Sequence, residues 1–404
     1  MLPVIRKTTT KMIIRKVKIN SPKEAQDFIK TTACDDYAVK LLSKKAVPQV
    51  FVIENLDNRA ANILKQEALS CGADVAVSSD ISRFKKGVSK VVLVGSTRNI
   101  ERLLDKLSLQ PFGLKALKAN IEAINLKRAK LLKHATGKLN YSKKPLIMGI
   151  LNLDPNSFSG QYAKTPEEAL QTALNLQRNG ADIIDLGAAT SRPGSKAIGV
   201  KEELKRLIPV LKLISKKVKI PISVDTFEPE VAKAVLGTGA SIINDIYGLR
   251  KKGMAKVVAS AKAGVVIMHM QGTPSTMQKN PKYNDVVGEI FGFLHKQIHF
   301  ALEQGIEKDR IASDPGIGFG KTLEHNYTLL KHLNTFKSLN TAVVGAFSRK
   351  SLISNVIGTK DNAVLDAHTV ALSALSAAGG VDILRVHNVK MTADILKIVN
   401  LYNG

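Results

Sequence analysis

The pattern of apolar and polar positions divides the chain into two stretches of different rhythm. In the first, short apolar runs at 12–19, 50–53, 75–77 and 91–94 are strand-like, and segments at 58–70 and 100–107 are helical in pattern. Ile63, Leu64 and Leu69 approximate the 3.6-residue spacing of a buried helix face. Gly72 is placed to end that helix, since a left-handed glycine commonly terminates one. A further helix is predicted over 114–133. The segment 137–144 is polar and turn-rich and ends at Pro145, so a domain boundary is predicted there, giving a small α/β domain over 1–140 and a second domain over 141–404.

From Leu146 the rhythm becomes regular. Eight apolar runs, at 146–152, 183–187, 222–225, 242–246, 265–269, 311–315, 342–347 and 383–387, alternate with helix-like segments. The clearest of these helices are predicted at 165–178, 200–217, 228–236, 285–303 and 323–333. Strand alternating with helix implies parallel strands. Eight such units in about 260 residues is the arithmetic of a closed barrel; an open doubly wound sheet also alternates but lacks the even count of eight. The predicted fold class is therefore α/β, a (β/α)8 TIM barrel preceded by a smaller α/β domain.

Composition narrows the functional classes. A hydrophobic fraction of 44% and a charged fraction of 23% are those of a packed globular chain. No apolar run approaches the ~20 residues of a membrane helix. The two cysteines, Cys34 and Cys71, cannot make a disulfide framework or a CxxC metal pattern, which fits a reducing, cytoplasmic setting. The first twelve residues are basic but lack the apolar centre of a secretory signal. The net charge of +26 invites a nucleic-acid reading. However, the 27 basic residues among the first 140 form no long run, and without tryptophan a base-stacking platform is poorly supplied. An anionic small-molecule substrate explains the charge more simply. The basic front part is expected to contact the barrel, a second subunit of a homodimer or another enzyme.

In barrels of this type the active site lies at the C-terminal strand ends, and each strand here ends in polar chemistry. Arg192, Lys350, Arg385 and His387 are cationic or can be, and arginine suits phosphate oxygens. Ser191 adds a hydroxyl, and Asn152 a carbonyl oxygen suited to a hard metal ion. Together these suit a diphosphate, although Arg192 and Arg385 can equally form rim ion pairs. Asp225, Asn244 and Asp314 supply two carboxylates and an amide, which match the guanidine-like edge of a pterin, guanine or aminopyrimidine. A carboxylate pair can also hold a metal. Against that, no neighbouring strand end adds a third carboxylate, and His269 reads as a core or capping histidine. A heterocycle clamp beside a diphosphate clamp suggests displacement of diphosphate.

These residues lie in motifs that resemble, in family order, those of dihydropteroate synthases. They are Met148-Gly149-Ile150-Leu151-Asn152, Ser191-Arg192-Pro193-Gly194, Ser223-Val224-Asp225-Thr226, Ile243-Asn244-Asp245-Ile246, Asp314-Pro315-Gly316-Ile317-Gly318-Phe319-Gly320-Lys321, Ser348-Arg349-Lys350 and Arg385-Val386-His387. The resemblance implies a TIM barrel that condenses 6-hydroxymethyl-7,8-dihydropterin diphosphate with p-aminobenzoate, in folate biosynthesis. It further implies that Asp225, Asn244, Asp314 and Lys350 line the pterin pocket, with Asp225, Asp314 and Lys350 acting in catalysis. Ser191, Arg192, Arg385 and His387 would bind substrate around the diphosphate, and Asn152 would bind Mg²⁺. The front part resembles the extension of longer members.

The chain departs from the family pattern in its loops. Where the family has Thr-Pro-Asp-Ser-Phe followed by Asp-Gly-Gly, this chain has Asp154-Pro155-Asn156-Ser157-Phe158-Ser159-Gly160-Gln161. The family's Gly-Glu-Ser-Thr-Arg is Ala188-Ala189-Thr190-Ser191-Arg192, and its final aspartate is Asn388. These changes fall on the second substrate and the diphosphate rather than on the pterin. Two alternatives compete: a pterin-dependent methyltransferase of the same barrel class, and a catalytically weak pterin-binding protein.

Overall fold

The structure is a computed structural model that describes residues 14–126, 130–154, 162–189 and 198–402. It divides into two compact units, Met1–Leu126 and Lys127–Gly404.

The first unit is built on a three-stranded antiparallel sheet of β1 (Pro48–Asp57), β2 (Asp74–Ala76) and β3 (Val88–Ser96), in the order β1-β3-β2. Helices Asn58–Ser70, Thr97–Leu107 and Leu114–Asn125 contribute to its core with Leu64, Leu103, Leu107, Leu114 and Ile121. The helix at 58–70 buries Leu64 and packs Ile63 against the core, as predicted, but not Leu69. Leu69 is exposed, while Ala60, Ala61, Leu64 and Ala68 are buried. The small alanines allow close approach, a signal that a count of large apolar residues overlooks. Gly72 does follow that helix at φ +78°, as expected. The strand predicted at 12–19 is not formed: residues 14–20 have no regular element. Helices Pro22–Lys30 and Asp36–Ala46, which follow, were not anticipated.

The second unit begins with a hairpin, β4 (Leu131–His134) and β5 (Gly137–Asn140). The helix predicted to run to 133 therefore ends at Asn125, and the boundary falls ahead of the hairpin rather than at 140. Leu132 is buried among Leu146, Met148, Ile183, Ile242 and Val266, side chains near the N-terminal ends of the barrel strands. Ala135 N–H donates to the Ser241 carbonyl, and Lys133 pairs with Glu307 and Asp309. The hairpin thus closes the floor of the barrel.

The barrel comprises β6 (Leu146–Asn152), β7 (Ile183–Gly187), β8 (Ile222–Asp225), β9 (Ile242–Asp245), β10 (Gly264–Met268), β11 (Ile311–Asp314), β12 (Ala342–Gly345) and β13 (Ile383–Val386). All eight pair in parallel, and β13 returns to β6. Side chains alternate between two environments, as the two-residue strand period demands. Ile147, Leu151, Ile184, Leu186, Val224, Ile243, Val265 and Leu384 pack outward, in the same core as the helices. Leu146, Met148, Ile183, Ile242, Val266, Ala312, Val344 and Ile383 fill the interior. Thr165 and Asp285 cap helices Pro166–Arg178 and Val286–Glu303 rather than lying in them, because each side chain accepts an N–H from the first turn. Among the described residues no helix is long and apolar enough to cross a membrane.

Candidate functional site

Strand alternation decides which polar side chains reach the barrel mouth. On β9 it turns Asn244 inward and Asp245 outward, where Asp245 accepts the N–H groups of Tyr247 and Leu249 at 2.8 and 2.7 Å. Asp225 and Asp314 end β8 and β11, and Arg385 lies inward on β13.

Arg385 organises one side of the mouth. Its Nε donates to Asp185 Oδ2 at 2.7 Å, and a terminal nitrogen donates to Asp225 Oδ2 at 3.0 Å. Asn244 Nδ2 also donates to Asp185 Oδ2, at 3.2 Å. The ion-pair reading of Arg385 therefore holds, with the carboxylates on Nε and one terminal nitrogen of the guanidinium. Burial pushes the Asp225 carboxyl up, against the pull of Arg385.

Asp185 is the residue that strand-end reading missed. It lies in the middle of β7, two residues before the end, and is fully buried. It corrects the expectation that no third carboxylate stands near Asp225. The available signal was an aspartate within the apolar run Ile183-Ile184-Asp185-Leu186, on the same face as Gly187.

Asp314 and Lys350 form the other side. Asp314 Oδ1 accepts the Gly316 N–H at 2.6 Å. Gly316 has φ +68°, and a Cβ there would overlap the His269 carbonyl oxygen, so the turn requires glycine. Lys350 Nζ donates to the Ile317 carbonyl at 2.6 Å and lies 4.6 Å from the centre of the Phe319 ring. Burial lowers the Lys350 ammonium to about 8, with Asp314 opposing the shift. Burial likewise raises the Asp314 carboxyl, opposed chiefly by Lys350. Ile246, Met268, Met270, Met277 and Phe319 form a separate apolar cluster at and just beyond the strand ends, flanked by Phe227 and Tyr247 with rings stacked at 4.3 Å. A flat heterocycle with N–H donors on its edge suits such a surface.

His387 Nδ1 lies 3.0 Å from Ser348 Oγ, which also accepts the His387 backbone N–H. Burial, then Arg349 and Arg385, hold the imidazole well below its ordinary value. Arg349, beside Lys350, is structural: it forms a buried two-point pair with Asp366, both bonds 2.7 Å. Asn388, the departure at the chain's last motif, donates from Nδ2 to that same Asp366 at 3.1 Å, where an aspartate would meet like charge. His269 is a core residue, as predicted. It packs edge-on to Phe293, lies 3.1 Å from Lys321 Nζ, and is lowered to about 2 chiefly by burial.

Asn152 ends β6 half-buried, its Oδ1 3.6 Å from where a Cβ on Gly187 would stand. Among the described residues no group of three or more His, Cys, Asp and Glu could hold a metal ion. Asp154 is buried, with its charge 3.6 Å from Arg206, which also donates to the Ala188 carbonyl. Its charge therefore faces an arginine at the base of the second loop. Ser191, Arg192 and residues 155–161 of the first loop lie outside the described residues.

Comparison with known proteins agrees with this geometry. The chain is 40% identical to the dihydropteroate synthase of Escherichia coli over 256 residues, 63% of this chain and 90% of the other. It is 33% identical to a bifunctional dihydropteroate synthase/dihydropteroate reductase of Helicobacter pylori over 386 residues, 95% of this chain and 97% of that one. The dihydropteroate synthase of Xanthomonas albilineans, solved with 4-aminobenzoic acid, superposes with a TM-score of 0.63 at 38% identity, covering 69% of this chain and 99% of the other. Residues 148–387 match the family described as pterin binding enzyme, spanning β6 to the strand-end histidine, and the chain belongs to that family.

Proposed function

We propose that the chain is a dihydropteroate synthase, joining 6-hydroxymethyl-7,8-dihydropterin diphosphate to p-aminobenzoate with release of diphosphate. The observation that carries this reading is the pairing of two inward carboxylates and an amide, Asp225, Asp314 and Asn244, with the guanidinium of Arg385, bound to Asp225 at the same strand ends. The carboxylates accept the N–H donors of the pterin, and Lys350 donates to an acceptor on its ring. Arg385 and His387, with Ser191 and Arg192, take the diphosphate. As the C–O bond breaks, its electron pair leaves with the diphosphate and positive charge develops on the pterin methylene. Asp225 and Asp314 stabilise that charge, and the arginine stabilises the departing oxygens. The amine lone pair forms the C–N bond, and one N–H proton passes to water.

Asn152, at the end of β6, would hold Mg²⁺, and a single carbonyl ligand fits an ion that takes most of its oxygens from phosphate and water. Bound there, the ion would neutralise charge on the diphosphate. The unpaired Cys34 and Cys71 fit a cytoplasmic setting. The methyltransferase alternative leaves the diphosphate half of the mouth without a task.

The test is incubation of the full chain with the pterin diphosphate, with and without p-aminobenzoate. Diphosphate and dihydropteroate should appear in equal amounts only when both substrates are present. Absence of dihydropteroate from folded protein with Mg²⁺ supplied would favour the binding-protein alternative.

A second reading concerns the whole chain. The Helicobacter pylori relative matches both units, which supports a dihydropteroate-reducing activity in this chain as well. Reduction adds a hydride and a proton across a ring C=N bond. Tetrahydropteroate formed from dihydropteroate and a biological hydride donor would support it, and none formed across a panel of such donors would count against it.

A further inference from the structure

We propose that Asp185 is a positioning residue for the reaction, fixing Arg385 and Asn244 in the orientation in which they meet the pterin diphosphate. The inference rests on the function assigned above. Two other buried aspartates of the barrel, Asp245 and Asp382, secure the backbone, whereas Asp366 holds the side chains of Arg349 and Asn388. Asp245 accepts two backbone N–H groups, and Asp382 accepts that of Val343. Asp185 accepts none. Its Oδ2 receives Arg385 Nε at 2.7 Å and Asn244 Nδ2 at 3.2 Å, and its Oδ1 meets no donor among the described residues. Both partners are ligand-facing groups on other strands, β13 and β9. A fully buried carboxylate is costly to maintain unless its partners use it. The partners used here serve the ligand rather than the architecture.

The geometry explains how it acts. Arginine Nε is the one donor that fixes both the plane and the direction of the guanidinium. With Nε held by Asp185 and one terminal nitrogen by Asp225, the remaining nitrogen has a single direction. Asn244 is oriented in the same way. Its Nδ2 is committed to Asp185, so its Oδ1 must point the other way and serves as the acceptor.

Asp185→Asn preserves size and can still accept one hydrogen bond, but removes the charge and introduces an amide against Asn244. The expected result is a KM for the pterin diphosphate raised at least about tenfold, the loss of one charge-assisted bond, with the p-aminobenzoate KM changed less than about twofold. A residue of purely structural importance would not split the two constants. In an Arg385→Lys background, where the planar fork is gone, the same substitution should cost less than about threefold. Equal losses in both backgrounds, or an unchanged pterin diphosphate KM, would overturn the proposal. If Asp185→Asn fails to fold, the wild type decides. The Arg385 Nε–H should give an NMR signal protected from solvent exchange in the ligand-free chain, and rapid exchange at that proton would refute the anchoring. Failure of the chain to condense the two substrates at all would instead refute the assigned function.

Discussion

Lys350→Met should stabilise the folded chain while destroying its activity. The ordinary lysine value of 10.5 falls to about 8 at this site because the ammonium is buried. Below pH 8 both the folded and unfolded chains hold the proton, and the folded chain bears the full cost of burying it. That cost is about 3 kcal/mol, from 2.5 units at about 1.36 kcal/mol each. Between pH 8 and 10.5 the unfolded chain binds more proton than the folded one, so this contribution makes stability rise with pH. Above 10.5 the penalty is gone. Methionine removes the penalty at all pH values but also removes the bond to the Ile317 carbonyl, worth about 1 kcal/mol net. It also removes the charge that chiefly opposes the rise of the Asp314 carboxyl, which shifts further up. Urea unfolding at pH 7 should therefore show the variant more stable by about 1–2 kcal/mol. The advantage should shrink towards pH 10, and turnover at pH 7 should fall at least about a hundredfold. A variant less stable than wild type at pH 7, or a difference independent of pH, would refute the account of a buried, strained ammonium.

Asp225→Asn should reduce turnover about a hundredfold or more, because an amide neither matches the pterin edge nor offsets positive charge on the methylene; steady-state kinetics on folded protein checks it. Arg349→Ala should behave oppositely to the Lys350 variant, costing about 3–5 kcal/mol by leaving Asp366 buried without its two-point partner, measured by denaturant unfolding. Removing residues 1–126 should leave a soluble barrel that binds the pterin diphosphate. Removing 1–140 also takes the hairpin and Leu132 and should lower stability by about 2–4 kcal/mol, seen by comparing the melting of the two truncations. Replacing residues 154–161 with the usual family loop should lower the p-aminobenzoate KM and barely change pterin diphosphate affinity, measured by kinetics and calorimetry.

The barrel was legible because its strands are short, apolar and spaced by helices, a pattern that only a few architectures satisfy. Asp225, Asn244, Asp314, Lys350 and Arg385 were legible because barrel function gathers at strand ends. Asp185 was not, since it lies one inward step below the end and its role depends on Arg385, distant in sequence by 200 residues. The setting of His387 was equally hidden: its burial beside other cations, which lowers the imidazole, comes from residues distant in sequence. The hairpin at 131–140 escaped because its polar turn resembles a linker, and only the barrel floor explains why Leu132 is buried. In the first unit, alanines share the buried helix face with Leu64, and a search for large apolar residues finds only part of it.

A structure of the chain with the pterin diphosphate bound tests the central claim most directly. The account predicts the heterocycle between Asp225, Asn244 and Asp314 against Met268 and Phe319, with Lys350 on its ring and the diphosphate on the free edge of Arg385 beside His387. A heterocycle seated elsewhere, or a diphosphate directed away from Arg385, would contradict it.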